Sequence, residues 1–222
     1  MALSTITKFA IGLGTVGGVA GSAIGVNYFL SKGPSISELI KSKNPEKRLL
    51  DKNSSSDLWK AAWKSYRAAN KDKEKDMWSI DGWKKGEPTD NEAAPESFKN
   101  ACESRIKGSS KLYDEVINYC TRKTILADLV SEDSGRVLLV KVSGGNSKEW
   151  KEAWSSYKKA NTTHTDNSDV WKLTGYSSEH SKENAPDVFM EKCKTNSETE
   201  GYDINGDLYK QLLKYCTIEA PR

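Results

Sequence analysis

Histidine is nearly absent from this chain of 222 residues: there are two, His164 and His180, both in the second half. Methionine is also scarce, with three residues against seven Trp and nine Tyr, so large rings rather than flexible side chains are expected to fill the interior. No Cys precedes Cys102, which leaves the N-terminal stretch without a thiol for lipid attachment. No C-x-x-C spacing occurs, and neither His has a counterpart in the first half, so a zinc centre is not expected. No G-x-S-x-G, no phosphate-binding G-x-x-x-x-G-K-[ST] and no G-x-G-x-x-G opening a helix is found. The formal net charge of +3 is too small to mark a polyanion partner, and no nucleic-acid-binding motif accompanies it.

What is present begins with Phe9 to Leu30, a stretch free of charged residues. As a helix it would rise about 33 Å, enough to cross the hydrocarbon of a bilayer. Lys8 precedes it, Ser31, Lys32, Gly33 and Pro34 follow, and Tyr28 and Phe29 sit near one boundary. Gly14, Gly18 and Ser22 are spaced by four, as are Gly17, Gly21 and Gly25; the preferred reading is a weakly hydrophobic membrane helix of flexible composition, and the secondary one is a face that lets a second helix approach closely in a homodimer through the membrane helix. A cleaved signal peptide is the rival reading. The length of the apolar run and the lack of an A-x-A site favour an uncleaved anchor over 1–34. Lys32, Lys41, Lys43, Lys47 and Arg48 after the helix argue for an inward C-terminus.

The strongest signal is an internal duplication. LWKAAWKSYRAAN, from Leu58 to Asn70, returns as EWKEAWSSYKKAN, from Glu149 to Asn161. Trp59, Trp63, Tyr66 and Asn70 map onto Trp150, Trp154, Tyr157 and Asn161 with a shift of 91. Trp78 maps onto Trp171 and Trp83 onto Tyr176 with a shift of 93. The shift is again 91 for Pro95 and Pro186, Phe98 and Phe189, and Cys102 and Cys193. It becomes 96 for Tyr113 and Tyr209, Tyr119 and Tyr215, and Cys120 and Cys216. The leaders ISELI and ILADLV correspond too. Two modules follow, over 35–123 and 124–222, with their length differences confined to polar stretches where loops absorb them. The first copy is net positive and the second net negative, unlike a shared anion-binding face.

Within a module, Trp59, Trp63 and Tyr66 recur at i, i+4 and i+7, one stripe of an amphipathic helix capped by Ser56 or Asp57, with Ser147 in the second copy. Pro95 suits the first turn of a second helix carrying Phe98 and Cys102. Leu112, Val116, Tyr119 and Cys120 describe a third helix, with Leu208, Leu212, Tyr215 and Cys216 as its twin. The stretch around Trp78 gives no clear pattern. The fold expected is mainly α: small Trp-rich helical modules in tandem behind a transmembrane helix.

The four Cys, two per copy at matching places, predict Cys102–Cys120 and Cys193–Cys216 bridges in an exported protein; four reduced thiols among aromatics are the alternative. The W-K-x-A-W pattern admits an exposed aromatic platform, although such stripes more often form core. Asn70 and Asn161 suit the left-handed position that ends a helix. Glu92 and Glu183 recur beside a helix start, where an acid suits the dipole. SGGNS after RVLLVKV invites a phosphate-loop reading, but its twin is KNSSS and it reads as a linker with a helix cap.

Taken together, the Gly-rich leader, ISELI, WKxAWxSYKxAN, NAP-xxF-xxxC and the final LYxxxxxYCT resemble the large paralogous families of uncharacterised proteins of haemotropic mycoplasmas. The resemblance spans nearly the whole chain and implies surface display at a single plasma membrane, with antigenic variation or contact with host surface molecules as the role. It supplies no catalytic residue or ligand. The expectation is a single-pass membrane protein with extracellular modules, no enzyme, no cofactor and no metal. The alternative is an inward-facing membrane-tethered scaffold.

Overall fold

The computed structural model describes residues 33–133 and 135–221. The expected membrane helix and its Gly14/Gly18/Ser22 and Gly17/Gly21/Gly25 faces lie outside those residues. Among the described residues no helix is long and apolar enough to cross a membrane.

Ser35 opens α1 (Ile36–Lys43) with a capping box: Glu38 N–H donates to its Oγ at 3.3 Å and its own N–H donates to Glu38 Oε2 at 2.7 Å. Ile36 and Ile40, one turn apart, are buried. Strand β1 (Lys47–Leu49) follows, then α2 (Ser56–Asn70). Ser55, rather than Ser56 or Asp57, caps α2, its Oγ accepting from Leu58 N–H. Helix α3 (Glu96–Ile106) starts just after Pro95, which takes the extended cap position instead of the first helical turn. The expected third helix is divided into a 3-10 turn over Ser110–Leu112 and α4 (Tyr113–Tyr119). Strand β2 (Thr121–Lys123) completes the first module.

The second follows the same order with one added helix: α5 (Leu126–Asp133), β3 (Arg136–Leu138), α6 (Lys148–Ala160), a short α7 (Tyr176–Glu179) without counterpart among the described residues of the first, α8 (Asp187–Ser197), α9 (Asp207–Cys216) and β4 (Thr217–Glu219). The architecture of the described residues is therefore mainly helical.

Helical periodicity alone did not foresee the strands. Each module joins its beginning to its end by a three-residue antiparallel pair: Lys47, Arg48 and Leu49 face Lys123, Arg122 and Thr121. Arg136, Val137 and Leu138 face Glu219, Ile218 and Thr217. The disulfides sit beside these closures. Cys102 is bonded to Cys120 and Cys193 to Cys216, tying α3 and α8 to the residue that enters the closing strand. Leu50 N–H donates to Cys120 O at 2.9 Å, and Leu139 N–H to Cys216 O at 2.8 Å. The half-cystines are buried, so the bridges are shielded from solvent reductants.

Two separate hydrophobic clusters result, one drawn from Ile36 to Cys120 and the other from Leu126 to Cys216. Trp59, Trp63, Tyr66, Trp78, Phe98 and Tyr119 meet in the first; Trp150, Trp154, Tyr157, Trp171, Phe189 and Tyr215 meet in the second. Each ring pair of the first recurs in the second. Tyr66–Trp78 centroids are 4.5 Å apart and Tyr157–Trp171 4.9 Å; Trp78 stacks on Phe98 at 5.6 Å and Trp171 on Phe189 at 5.7 Å. Such pairs contribute about 0.5–1.5 kcal/mol each beyond the area they bury. Trp83 and Tyr176 stand edge-on to Trp63 and Trp154, at 6.3 and 5.9 Å, so different rings do the same packing job.

Candidate functional site

The aromatic stripe is not an exposed platform. Trp59, Trp63 and Tyr66 are 5, 3 and 0% exposed and their twins 1, 0 and 0%, because α2 and α6 turn that face into the module. Each module then builds one polar knot inside its ring cluster. Tyr66 Oη donates to Asp76 Oδ1, and Trp78 N–H donates to both Tyr66 Oη and Asp76 Oδ1 at 2.9 Å. Ile80 N–H reaches Asp76 Oδ2, also at 2.9 Å. The twin is complete: Tyr157 Oη donates to Asp169, Trp171 N–H to Tyr157 Oη at 3.1 Å, and Leu173 N–H to Asp169 Oδ1 at 3.0 Å. Burial and then the adjacent carboxylate push both phenols far above the ordinary tyrosine value.

The loop that makes this knot bends through a left-handed residue, Ser79 at φ 54° and Lys172 at φ 51°. Asp76 and Asp169 were not singled out from the sequence. The signal was D-x-W-x-[I/L], held at the shift of 93 that relates the two Trp residues. Their oxygens are filled by the phenol and backbone N–H groups, and the side chains are buried, so neither acid is presented to a substrate.

Asn70 and Asn161 also act locally, though not in the left-handed position expected, since neither has a positive φ. Each donates back to its helix, to Tyr66 O at 2.9 Å and Tyr157 O at 2.8 Å. Each accepts from the coming loop, from Met77 N–H at 3.2 Å and Val170 N–H at 2.9 Å. The Asn clips the D-x-W loop to the end of the Trp-bearing helix. Met77 and Val170, exposed in both copies, form its outer tip.

Glu92 and Glu183 accept from Arg67 at 2.7 Å and Lys151 at 3.0 Å. SGGNS forms a 3-10 turn before α6, with Ser147 as the helix cap.

The module junction is bonded without interruption. Thr124, almost fully buried, donates through Oγ1 to Pro45 O at 2.8 Å and through N–H to Glu46 O at 2.8 Å. On the other side Gly201 N–H donates to Thr124 O and Leu126 N–H to Thr199 O, each at 3.0 Å. Two bidentate pairs cross the boundary: Arg48 with Glu132 at 3.0 and 3.2 Å, and Arg122 with Asp128 at 2.6 and 2.7 Å. Burial would raise the Asp128 carboxyl, but Arg122 and the Ile125 N–H hold it below its ordinary value.

The surfaces differ between copies. In the first, a groove of about 500 Å³ opens between the β1–α2 loop and α3, with Leu49, Leu50, Trp59 and Ile106 among its apolar lining and Lys52, Lys99, Glu96 and Glu103 among its charged lining. In the second, the corresponding loop is two residues longer between the matched Leu and Trp. Val142 packs on the core, and Met190, the twin of Lys99, is 1% exposed. Gly145 at φ +54° lies so close to Ala185 that a Cβ would stand 1.9 Å from its carbonyl oxygen. Lys141 reaches Glu191 at 3.4 Å over the same helix.

Among the described residues no three His, Cys, Asp or Glu side chains are grouped as metal ligands. Comparison with protein families, characterised proteins and solved structures finds no match for the chain.

Proposed function

We propose that this chain is a non-enzymatic surface-display protein, held at the cell membrane by residues 9–30 and presenting its two modules outside the cell. The observation that carries the reading is the contrast between the copies. The ring cluster, the Tyr–Asp knot, the strand closure and the buried disulfide occur twice, while the loops, the groove and the net charge differ. A frame kept twice with divergent loops suits a protein whose surface changes while its fold does not. Shielded bridges suit an oxidising exterior. In line with the resemblance to the haemotropic mycoplasma families, the role is contact with host surface molecules or antigenic variation.

A second reading is an inward-facing tethered scaffold, favoured by the Lys-rich stretch after residue 30. Protease shaving of intact cells, with mass spectrometry of the released peptides, separates the two. Peptides from both modules, released without lysis and with Cys102–Cys120 and Cys193–Cys216 still linked, would support display. Protection until lysis, with thiols open to alkylation, would reject it in favour of the scaffold.

A further inference from the structure

The only two histidines of the chain meet. The rings of His164 and His180 lie with centroids 3.5 Å apart and planes inclined by 31°. His164 belongs to the segment leading from α6 to the D-x-W loop, and His180 follows α7, so the contact fastens two arms outside the ring core. The first module fastens the matching arms differently. Lys71 Nζ lies 2.7 Å from Glu87 Oε1, and Gly86 N–H donates to Lys71 O at 2.9 Å. Counted from the D-x-W loop, Lys71 and His164 each stand five residues before the Asp, and Glu87 and His180 each stand four residues after the ring at Trp83 or Tyr176.

We infer that His164 and His180 form an acid-released latch on the second module, the titratable counterpart of the Lys71–Glu87 salt bridge. Two neutral imidazoles stack without electrostatic penalty, whereas two imidazolium ions at van der Waals contact repel. Most charges around the pair are either positive or already paired. On α6 the Lys158 ammonium, which donates to Lys182 O at 2.7 Å, adds positive charge. On α7 Glu179 pairs with Lys182 at 2.7 Å, and Tyr176 presents its ring edge-on to His180 at 5.4 Å. In the His164 segment Asp166 accepts from Ser177 N–H at 2.9 Å and Oγ at 2.8 Å, and beyond α7 Glu183 pairs with Lys151 at 3.0 Å. Glu179 and Glu183 are thus neutralised by lysines, and Asp166, held by neutral Ser177 donors, keeps an unpaired charge.

Burial, then His164, then Lys158 hold the His180 imidazole below its ordinary value. The sign follows. Above pH about 6.5 the ring is neutral whether the arms are closed or open, and the latch is intact. As pH falls below that value the open form takes up a proton that the closed form resists, so closure weakens until the folded value is passed. The ring core does not share this chemistry. Tyr176 Oη still donates to Asn161 O at 2.6 Å, and opening is confined to the arm over 162–168 and to the residues around His180.

Two histidines give two imidazole signals in the full-length chain labelled with 13C at His Cε1. The His180 midpoint should fall below the ordinary imidazole value and rise towards it in His164→Gln. Amide exchange, corrected for its intrinsic pH dependence, should show protection across 162–168 dropping several-fold between pH 7.5 and 5.5. In the double variant His164→Lys, His180→Glu that protection should be independent of pH. An ordinary His180 midpoint unmoved by His164→Gln would overturn the proposal. So would the same pH-dependent loss of protection in wild type and double variant.

Discussion

Replacing Tyr157 by Phe removes one oxygen from the centre of the second module and leaves its packing intact. The ring keeps its neighbours Trp154, Trp171, Phe189 and Tyr215. What goes is the bond from Oη to Asp169 and the acceptor for Trp171 N–H, which retains Asp169 Oδ2 at 3.2 Å. A buried hydrogen bond to a carboxylate contributes about 1.5–3 kcal/mol, so a destabilisation of about 2 kcal/mol is expected. Asp169→Asn keeps the shape but places an amide NH₂ where an oxygen accepted, at a cost of about 1–2 kcal/mol. Because the groups share one bond, the double variant should be more stable than the sum of the single changes predicts, by about 1 kcal/mol. The assay is urea unfolding followed by amide exchange along α6, which separates this module from the first. The same cycle on Tyr66 and Asp76 should return the same coupling. Additivity within about 0.5 kcal/mol in both modules would refute a shared knot and leave the tyrosines as ring filler.

Three further outcomes follow from the same frame. Cys102→Ala with Cys120→Ala, or Cys193→Ala with Cys216→Ala, opens a loop of 18 or 23 residues. Each should cost about 3 kcal/mol in denaturant unfolding, and a change below about 1 kcal/mol would show that the strand closure suffices. Gly145→Ala should destabilise by about 3 kcal/mol or displace the turn, because its Cβ would meet the Ala185 backbone; Gly144→Ala, with open space around it, should cost only about 1 kcal/mol. Equal effects in thermal melts would refute the close approach. In alkaline titration followed at the phenolate absorbance, Tyr66 and Tyr157 should stay protonated until the chain unfolds. Their raised folded values mean stability that is complete below pH about 10 and is lost as the pH rises through the folded values; titration of all nine tyrosines in the folded chain would contradict it.

The duplication was legible because it is written in large side chains whose positions survive length change. Trp59, Trp63 and Tyr66 at helical spacing reveal a buried face, and the matched half-cystines reveal a bridge because both copies place them alike. Polar residues in irregular backbone were harder. Asp76 lies in a run of Lys, Asp and Glu that reads as solvent-exposed loop, and only its alignment with Asp169 distinguishes it from Asp72. The strands escaped notice because three residues carry no periodicity. Lys47–Leu49 is a strand since Thr121–Lys123 lies beside it, a fact of topology that no local pattern contains. The end of α2 failed for a related reason: Asn70 bonds a loop whose path was unknown, so its side chain could only be read as a terminus.

The differences between the copies bear on what the pair can do. In the first module the groove lies beside Trp59. In the second, Val142 packs on the core, the turn at Gly145 closes on Ala185 and His164 meets His180, while the first carries the Lys71–Glu87 salt bridge. The two copies therefore present different faces. The junction at Thr124 joins those faces through hydrogen bonds. Backbone bonds run from Glu46 through Thr124 to Gly201, and Arg48 and Arg122 reach across with two-pronged ion pairs. A bonded junction sets their surfaces at fixed spacing, so a change in a loop of either module alters the combined surface without loosening the frame that carries it.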